Sequence, residues 1–244
     1  MKNKSHQTTP DSVTTHRIPW DKSRTDIDTI LNREWLVANG LGGYASRTLA
    51  RVCTRKYHGL LVAALPAPFG RMVMLTGLYE ELRFPDGSTA EIGGEEHIEN
   101  ELLLPGAEFL TEFRLELGLP VWRYEVRGYV IEKRVVLPHR QNTTHINYRL
   151  VSGSGRVRIR IRPSMHFRSQ AADSLNTIES EEPYTVKGVG NRYEISANGN
   201  PPVLRLFLYG TEGSFNLSGG EYKKIFYRVE KSRCYDCRSE TLWS

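Results

Sequence analysis

The 244 residues include 33 Lys and Arg against 28 Asp and Glu, a net charge of +5, with 25% charged and 39% hydrophobic residues. Those proportions describe an ordinary globular chain, long enough to bury one large β domain or two small ones, and the pI near 9.1 admits an anionic partner without requiring one. No apolar run approaches the ~20 residues of a membrane helix, and the polar start MKNKSHQTTPDSVTTH lacks the apolar centre of a secretory signal, so a cytoplasmic protein with no membrane partner is expected.

Residues 1–30 read as a polar N-terminal extension, with one short helix expected around Asp26 to Asn32. Strand signals dominate residues 31–244. After a candidate strand, Glu34 to Ala38, comes NGLGGYASRTLARVCTRKYHGLLVAAL, Asn39 to Leu65, which opens on Gly40-x-Gly42-x-x-Ala45. A dinucleotide-binding loop of this type needs a strand before it, a helix after it and an acid about 20 residues on. The strand is available, but the helix is doubtful and no Asp or Glu occurs from Trp35 through Tyr79. The nucleotide reading fails on those grounds, and no cofactor is expected.

The same acid-free span holds Arg47, Arg51, Arg55, Lys56 and Arg71, with Tyr44, Tyr57 and His58 among them. Arg47, Arg51 and Arg55 have the spacing of one helical face, yet the Gly and Thr content favours an extended or irregular path. Glycines let the backbone turn left-handed and let a ligand or another chain come close. Aromatic, arginine and histidine groups together suit sugar hydroxyls and ring faces. The competing structural reading is that Arg55 and Tyr57 pin a loop against a sheet; for His58 alone a satisfied structural histidine is the better reading.

Downstream, period-two runs recur in RMVMLTGLYEELRF, EFLTEFRLEL, VWRYEVR, YVIEKRVVL, THINYRLV, RVRIRIRP, NRYEISA, PVLRLFLY and KKIFYRVE. Turn signals such as Pro85-Asp86-Gly87, Ser152-Gly153-Ser154-Gly155 and Asn198-Gly199-Asn200 separate them. Short strands, frequent turns and few helices predict an all-β fold, a large antiparallel sandwich.

Glycoside hydrolysis needs two carboxyl groups facing each other across a sugar. The adjacent pairs Glu80-Glu81, Glu95-Glu96 and Glu181-Glu182 cannot flank one bond, because strand neighbours point to opposite faces; the last two pairs are expected in solvated loops. A sugar-epimerase chemistry would use a histidine acid and a glutamate base, but nothing in the spacing of His58, His139, His145 and His166 selects one. Arg156, Arg158, Arg160 and Arg162 make a basic stripe that either binds nucleic acid or is an outer face meeting acids on neighbouring strands; without a nucleic-acid-binding signature the second is expected. Cys234 and Cys237 have zinc-ligand spacing, but a structural site needs four ligands, so no metal is expected.

The runs EWLVANGLGGYAS, TRKYHGLLVAALPAP and GRMVMLTGLYEEL, continued by VIEKRVVLPHRQNTTHINYRL, RIRIRPSMHFRS and YRVEKSRCYDCRSETLW, resemble the N-terminal domain of bacterial and archaeal glycogen debranching enzymes, the amylo-α-1,6-glucosidases. The resemblance runs from Glu34 to the C-terminus. Arg47 and Cys234 depart from it, standing where a small residue, usually glycine, is the rule. It implies a β-supersandwich of the galactose-mutarotase-like kind with no catalytic residues of its own, preceding an (α/α)6 barrel that carries the hydrolytic carboxylates. It also implies glycogen or another branched α-glucan as the partner. If the glycine-rich segment is lent to the active-site rim, Tyr44, Arg55, Tyr57 and His58 are the contact candidates, with Arg168 and Trp122 behind them. Trp122 is the weakest of these, since a lone strand tryptophan usually belongs to the core.

Overall fold

Alternating runs become antiparallel strands because one set of side chains can be buried while every backbone N–H and C=O finds a partner in the next strand. In the computed structural model, which describes residues 14–19, 27–97, 101–171, 184–189, 191–210, 212–216 and 220–243, the chain begins with β1 (Thr15–Pro19), α1 (Ile27–Asn32), β2 (Glu34–Ala38), β3 (Tyr44–Thr48) and β4 (Gly59–Ala64). It continues with β5 (Arg71–Arg83), β6 (Thr89–Ile92), β7 (Glu95–Glu96), β8 (Leu102–Leu103), β9 (Leu110–Glu116), β10 (Leu119–Val126), β11 (Tyr129–Val136) and β12 (His145–Ser152). The remaining elements are β13 (Arg158–Ser169), β14 (Tyr184–Val189), β15 (Arg192–Ala197), β16 (Leu204–Phe207), β17 (Glu221–Phe226), α2 (Arg228–Ser232) and β18 (Arg238–Trp243).

A five-stranded sheet, β1-β9-β10-β11-β12, faces an eight-stranded one, β17-β18-β13-β5-β4-β3-β2, in which β6 also pairs with β5. The three-stranded β14-β15-β16 sheet joins the same core through Tyr193, Ile195 and Leu204. The fold is therefore the expected all-β antiparallel sandwich. Its centre is aromatic: Trp122 of β10 meets Trp35 of β2 edge-on, ring centroids 5.3 Å apart, and Phe113 of β9 at 5.2 Å. The Trp122 indole N–H donates to the Leu49 carbonyl at 3.1 Å, so its polar atom is satisfied inside the core. Among the described residues no helix is long and apolar enough to cross a membrane.

The two large sheets also share a buried charge. Glu80 of β5, 1% exposed, accepts from Lys133 Nζ of β11 and Tyr148 Oη of β12, both at 2.5 Å, and pairs with the Arg51 guanidinium. Arg51 holds a left-handed backbone, φ 67°, and its guanidinium also donates to the carbonyls of Leu78 at 3.0 Å and Ile92 at 3.2 Å. Desolvation opposes ionising Glu80, but the two cations outweigh it and lower its pKa. Lys133 is pushed down to about 7, first by burial and then by the Arg51 charge. The cluster is thus one anion shared by two cations, of which Lys133 is the one in excess.

Several local readings change on this frame. Thr15–Pro19, within the segment read as a polar extension, adds a strand to β9; five residues are too few for alternation to show. The helix expected around Asp26 to Asn32 is α1, packed through Ile30 and Leu31 on Ala50 and Val52. KKIFYRVE is strand only to Phe226 and then turns into α2. Glu95 and Glu96 are not in a solvated loop: both are buried, Glu95 against His97 (2.8 Å) and Glu96 in a two-pronged pair with Arg228 (2.8 and 2.9 Å). Glu181 and Glu182 lie outside the described residues.

The two departures from the family pattern have separate explanations. Arg47 is buried on β3, and a Cβ on Gly77 would stand 2.6 Å from its guanidinium, so a glycine opposite makes room for the larger side chain. Cys234 follows the C-cap Arg233 of α2 at φ 59°, the left-handed position where helices often end on glycine.

Three outcomes follow. Glu80→Gln leaves Arg51 and Lys133 buried without a counter-charge and costs roughly 3–5 kcal/mol in urea unfolding, whereas Lys133→Met removes only the excess cation and stays within about 1 kcal/mol of wild type or above it. Burial and then Arg168 push the His166 imidazole down to about 3, while the unfolded chain protonates near its ordinary 6.5; stability is therefore present above pH 6.5 and lost as pH falls toward 3, and His166→Gln flattens that loss in unfolding curves taken across the window. Cys234→Gly relieves the left-handed strain and raises stability by about 0.5–1 kcal/mol, read as a higher Tm.

Candidate functional site

The glycine-rich stretch forms an antiparallel hairpin between β2 and β3 with no helix after it, which removes the geometry of a nucleotide loop. Asn39 organises its turn. The side-chain Oδ1 accepts from the N–H groups of Leu41 (2.9 Å) and Gly43 (3.0 Å), and Nδ2 donates to the Gln141 carbonyl (2.9 Å) and Asn142 Oδ1 (3.2 Å). Asn142 in turn clasps both backbone groups of Ala64, at 2.9 and 2.7 Å. Gly43 packs so closely that a Cβ would stand 2.6 Å from Asn39 Nδ2 and 2.9 Å from the Val62 carbonyl. Only glycine fits, and the packing alone requires it.

Beside this turn, the connection from β3 to β4 carries the other candidates, and it is held from several directions. His58 is buried, its Nδ1 accepting the N–H groups of Thr54 (3.1 Å) and Arg55 (3.4 Å). With Nδ1 an acceptor, the neutral ring carries its hydrogen on Nε2, 3.6 Å from Glu34 Oε1. Burial lowers the His58 pKa despite that carboxylate. Glu34 itself is held down at about 2, by His58 and, against burial, by Arg55; Arg55 Nε at 2.7 Å makes the direct hydrogen bond, since 3.6 Å is beyond hydrogen-bond range. Tyr44 Oη donates to the Tyr57 carbonyl at 2.9 Å and accepts from Gln170 Nε2 at 3.4 Å.

Two buried polar side chains complete the hold. Arg168 of β13 donates to the Lys56 carbonyl. Glu230, fully buried on α2, accepts the Lys56 N–H at 3.2 Å, while the Val229 N–H donates to the Thr54 carbonyl at 3.0 Å. The segment Thr54–His58 is thereby tied to β3, β13, α2 and its own imidazole. Its outward features are the half-buried Tyr57 ring, with the Lys56 ammonium 5.4 Å from its centroid, and the Arg55–Glu34 pair.

The structure brings Tyr44, Arg55, Tyr57, His58 and Arg168 into one neighbourhood. His58 and Arg168 are buried supports there, leaving Tyr44, Arg55 and Tyr57 toward the surface. Trp122 lies elsewhere, in the aromatic core at 1% exposure, and cannot face a sugar. Glu34, Gln170 and Glu230 belong to the neighbourhood without having been singled out, because positions up to 174 residues apart share no local signal. Chemically the arrangement can stack, donate and accept hydrogen bonds. The carboxylate on its outward side, Glu34, stays ionised near pH 7, unsuited to a general acid. Among the described residues no group of His, Cys, Asp and Glu is placed to hold a metal ion. The arginine stripe is interleaved with acids: Arg156 reaches Glu212 (3.2 Å), Arg162 reaches Glu221 (3.5 Å) and Arg160 stands in register with Glu81.

No curated protein and no solved structure matches the chain. The family model described as "Glycogen debranching enzyme N terminal" matches residues 33–244, taking in both the glycine hairpin and the clamped loop. Since that match spans everything from β2 to the last strand, the chain belongs to the glycogen debranching enzyme N-terminal family.

Proposed function

We propose that this chain is the non-catalytic glucan-recognition and docking domain of an amylo-α-1,6-glucosidase acting in glycogen breakdown. The hydrolytic carboxylates belong to a neighbouring (α/α)6 barrel domain, and the Thr54–His58 loop with Tyr44 contributes to the rim of that site. The observation that carries this reading is the clamp: buried Arg168 and Glu230 both serve the backbone of a short surface loop. Such an arrangement is costly unless the loop must hold one shape, and recognition loops on rigid scaffolds are where that demand arises. Tyr57 offers a ring face for a pyranose, and Arg55 and Glu34 offer a donor and an acceptor for its hydroxyls.

A purely architectural role has its own support. Edge strand β2 exposes Leu36 (62%), and the adjoining turn exposes Leu41 (43%), apolar side chains beside an open strand edge that a partner domain could cover.

The two roles separate on Tyr57→Ala in a debranching enzyme that carries this domain. Recognition at the rim raises KM for a limit dextrin about tenfold, as loss of a stacking contact worth roughly 1–1.5 kcal/mol requires, with kcat within about twofold of wild type. An unchanged KM, together with domain dissociation in Leu36→Asp, leaves docking alone.

A further inference from the structure

The outer face of the eight-stranded sheet carries a second feature that the clamped loop does not use. Because Glu80 and Leu82 of β5 point into the core, Tyr79 and Glu81 point the other way, where Arg160 and Arg162 of β13 stand opposite them in register. The β7–β8 hairpin and the turn after it wall this surface off with Leu102, Leu103, Leu104 and Pro105, enclosing a groove of about 460 Å³, a size typical of small-molecule sites. It lies toward the far end of β5 from Arg71, which flanks the glycine turn, on the order of 25 Å along the strand.

The groove is electrically balanced. Three carboxylates, Glu81, Glu91 and Glu95, line it against three cations, Arg160, Arg162 and Lys223. Some of these are satisfied within the protein: Arg162 by Glu221 at 3.5 Å, Lys223 by Glu95 at 4.0 Å, and Glu91 by the Tyr79 hydroxyl. Others are not. The side chains of Glu81 and Arg160 make no hydrogen bond or ion pair with the described residues, although the two residues are in register. Glu95, only 7% exposed, keeps its Oε1 without a partner among the described residues.

A facing donor and acceptor left unpaired beside an apolar wall select a ligand by chemistry. An anion meets three carboxylates and a cation meets three positive groups, so neither gains from the balanced lining. A neutral molecule with many hydroxyls both donates and accepts at each position. Its C–H faces can lie on Leu103, Pro105 and the Tyr79 ring while its hydroxyls reach Glu81 and Arg160.

We propose that this groove binds a neutral polyhydroxylated oligosaccharide, an α-glucan chain on the functional reading given above, at a point of the sandwich separate from the clamped loop. It anchors a glucan branch away from the bond being cut, and the domain holds substrate at two places.

The test is amide-shift mapping of the whole chain with millimolar maltoheptaose, with β-linked cellopentaose and inorganic phosphate as parallel probes. Maltoheptaose moves the amides of Gly94, Leu103 and Arg160, and Arg160→Met or Glu81→Gln, both at surface strand positions, weakens binding about tenfold while leaving the melting curve of the chain in place. Shifts confined to Tyr44 and Tyr57 overturn the groove and leave the functional reading standing. Groove shifts with cellopentaose alone keep an oligosaccharide site and overturn the α-glucan reading. Shifts with phosphate alone, or none with either sugar, overturn the groove.

Discussion

Glu80 is the residue on which the rest of the architecture turns. A carboxylate at the centre of a sandwich is tolerable only if its charge is matched and its oxygens are filled, and here Arg51, Lys133 and Tyr148 do both from three different parts of the chain. That requirement fixes more than a contact. A side chain that must point inward sets the register of β5, because strand side chains alternate and a one-residue slip would exchange the two faces. With Glu80 in, Tyr79 and Glu81 are out, and the outer groove exists because of the inner ion cluster. The same cluster holds Arg51 in its left-handed bend, which begins the path of the chain from β3 toward Thr54.

The clamped loop follows a similar economy of long-range ties. Its backbone groups are satisfied by an imidazole within the loop, a tyrosine from β3, an arginine from β13 and a glutamate from the helix near the C-terminus. Each tie has modest value in isolation, because a typical hydrogen bond contributes only about 0.5–1.5 kcal/mol net. Buried and shared around five residues, they leave the loop one arrangement. The neutral state of His58 belongs to this scheme: a protonated ring would lose Nδ1 as an acceptor and free two backbone N–H groups.

Sequence patterns made the strands legible because alternation is a local property that burial on one face imposes within a few residues. EWLVA, YVIEKRVV and the Tyr79 to Arg83 end of RMVMLTGLYEELR bury alternate residues as their period requires, whereas Met72 to Gly77 are buried on both faces. The glycine run, too, was rightly separated from a nucleotide loop, since the missing acid and helix are visible in one dimension. What stayed hidden was set by tertiary pairing. Thr15–Pro19 becomes a strand because β9 has a free edge, and RVE becomes helical after β17 where Glu230 is drawn under the loop. Glu95 and Glu96 looked solvated because adjacent acids usually are; His97 and Arg228, brought alongside by the β7–β8 hairpin and α2, make their burial possible. The groove draws on β5, β6, β13, β17 and the hairpin wall, segments whose order in sequence gives no sign that they meet.

The position of the two surface features along one strand pair bears on how such a domain could work. β5 and β13 are long, directly hydrogen-bonded and interrupted only by register shifts near Ser164 to Arg168. The clamped loop sits toward the end where Arg168 pairs with Val73, and the groove toward the end where Arg160 pairs with Glu81. A sheet held by ladder bonds along most of its length and tied to the facing sheet by an ion cluster does not flex as a hinge does. Distance between the two features is therefore fixed by residue count and rise per residue, so a chain bound at both would be held extended at a set span. On the two-site proposal, two weak contacts at a fixed separation gain affinity through effective concentration with no tighter fit at either one, and a polymer of repeating units is the kind of ligand that gains from it.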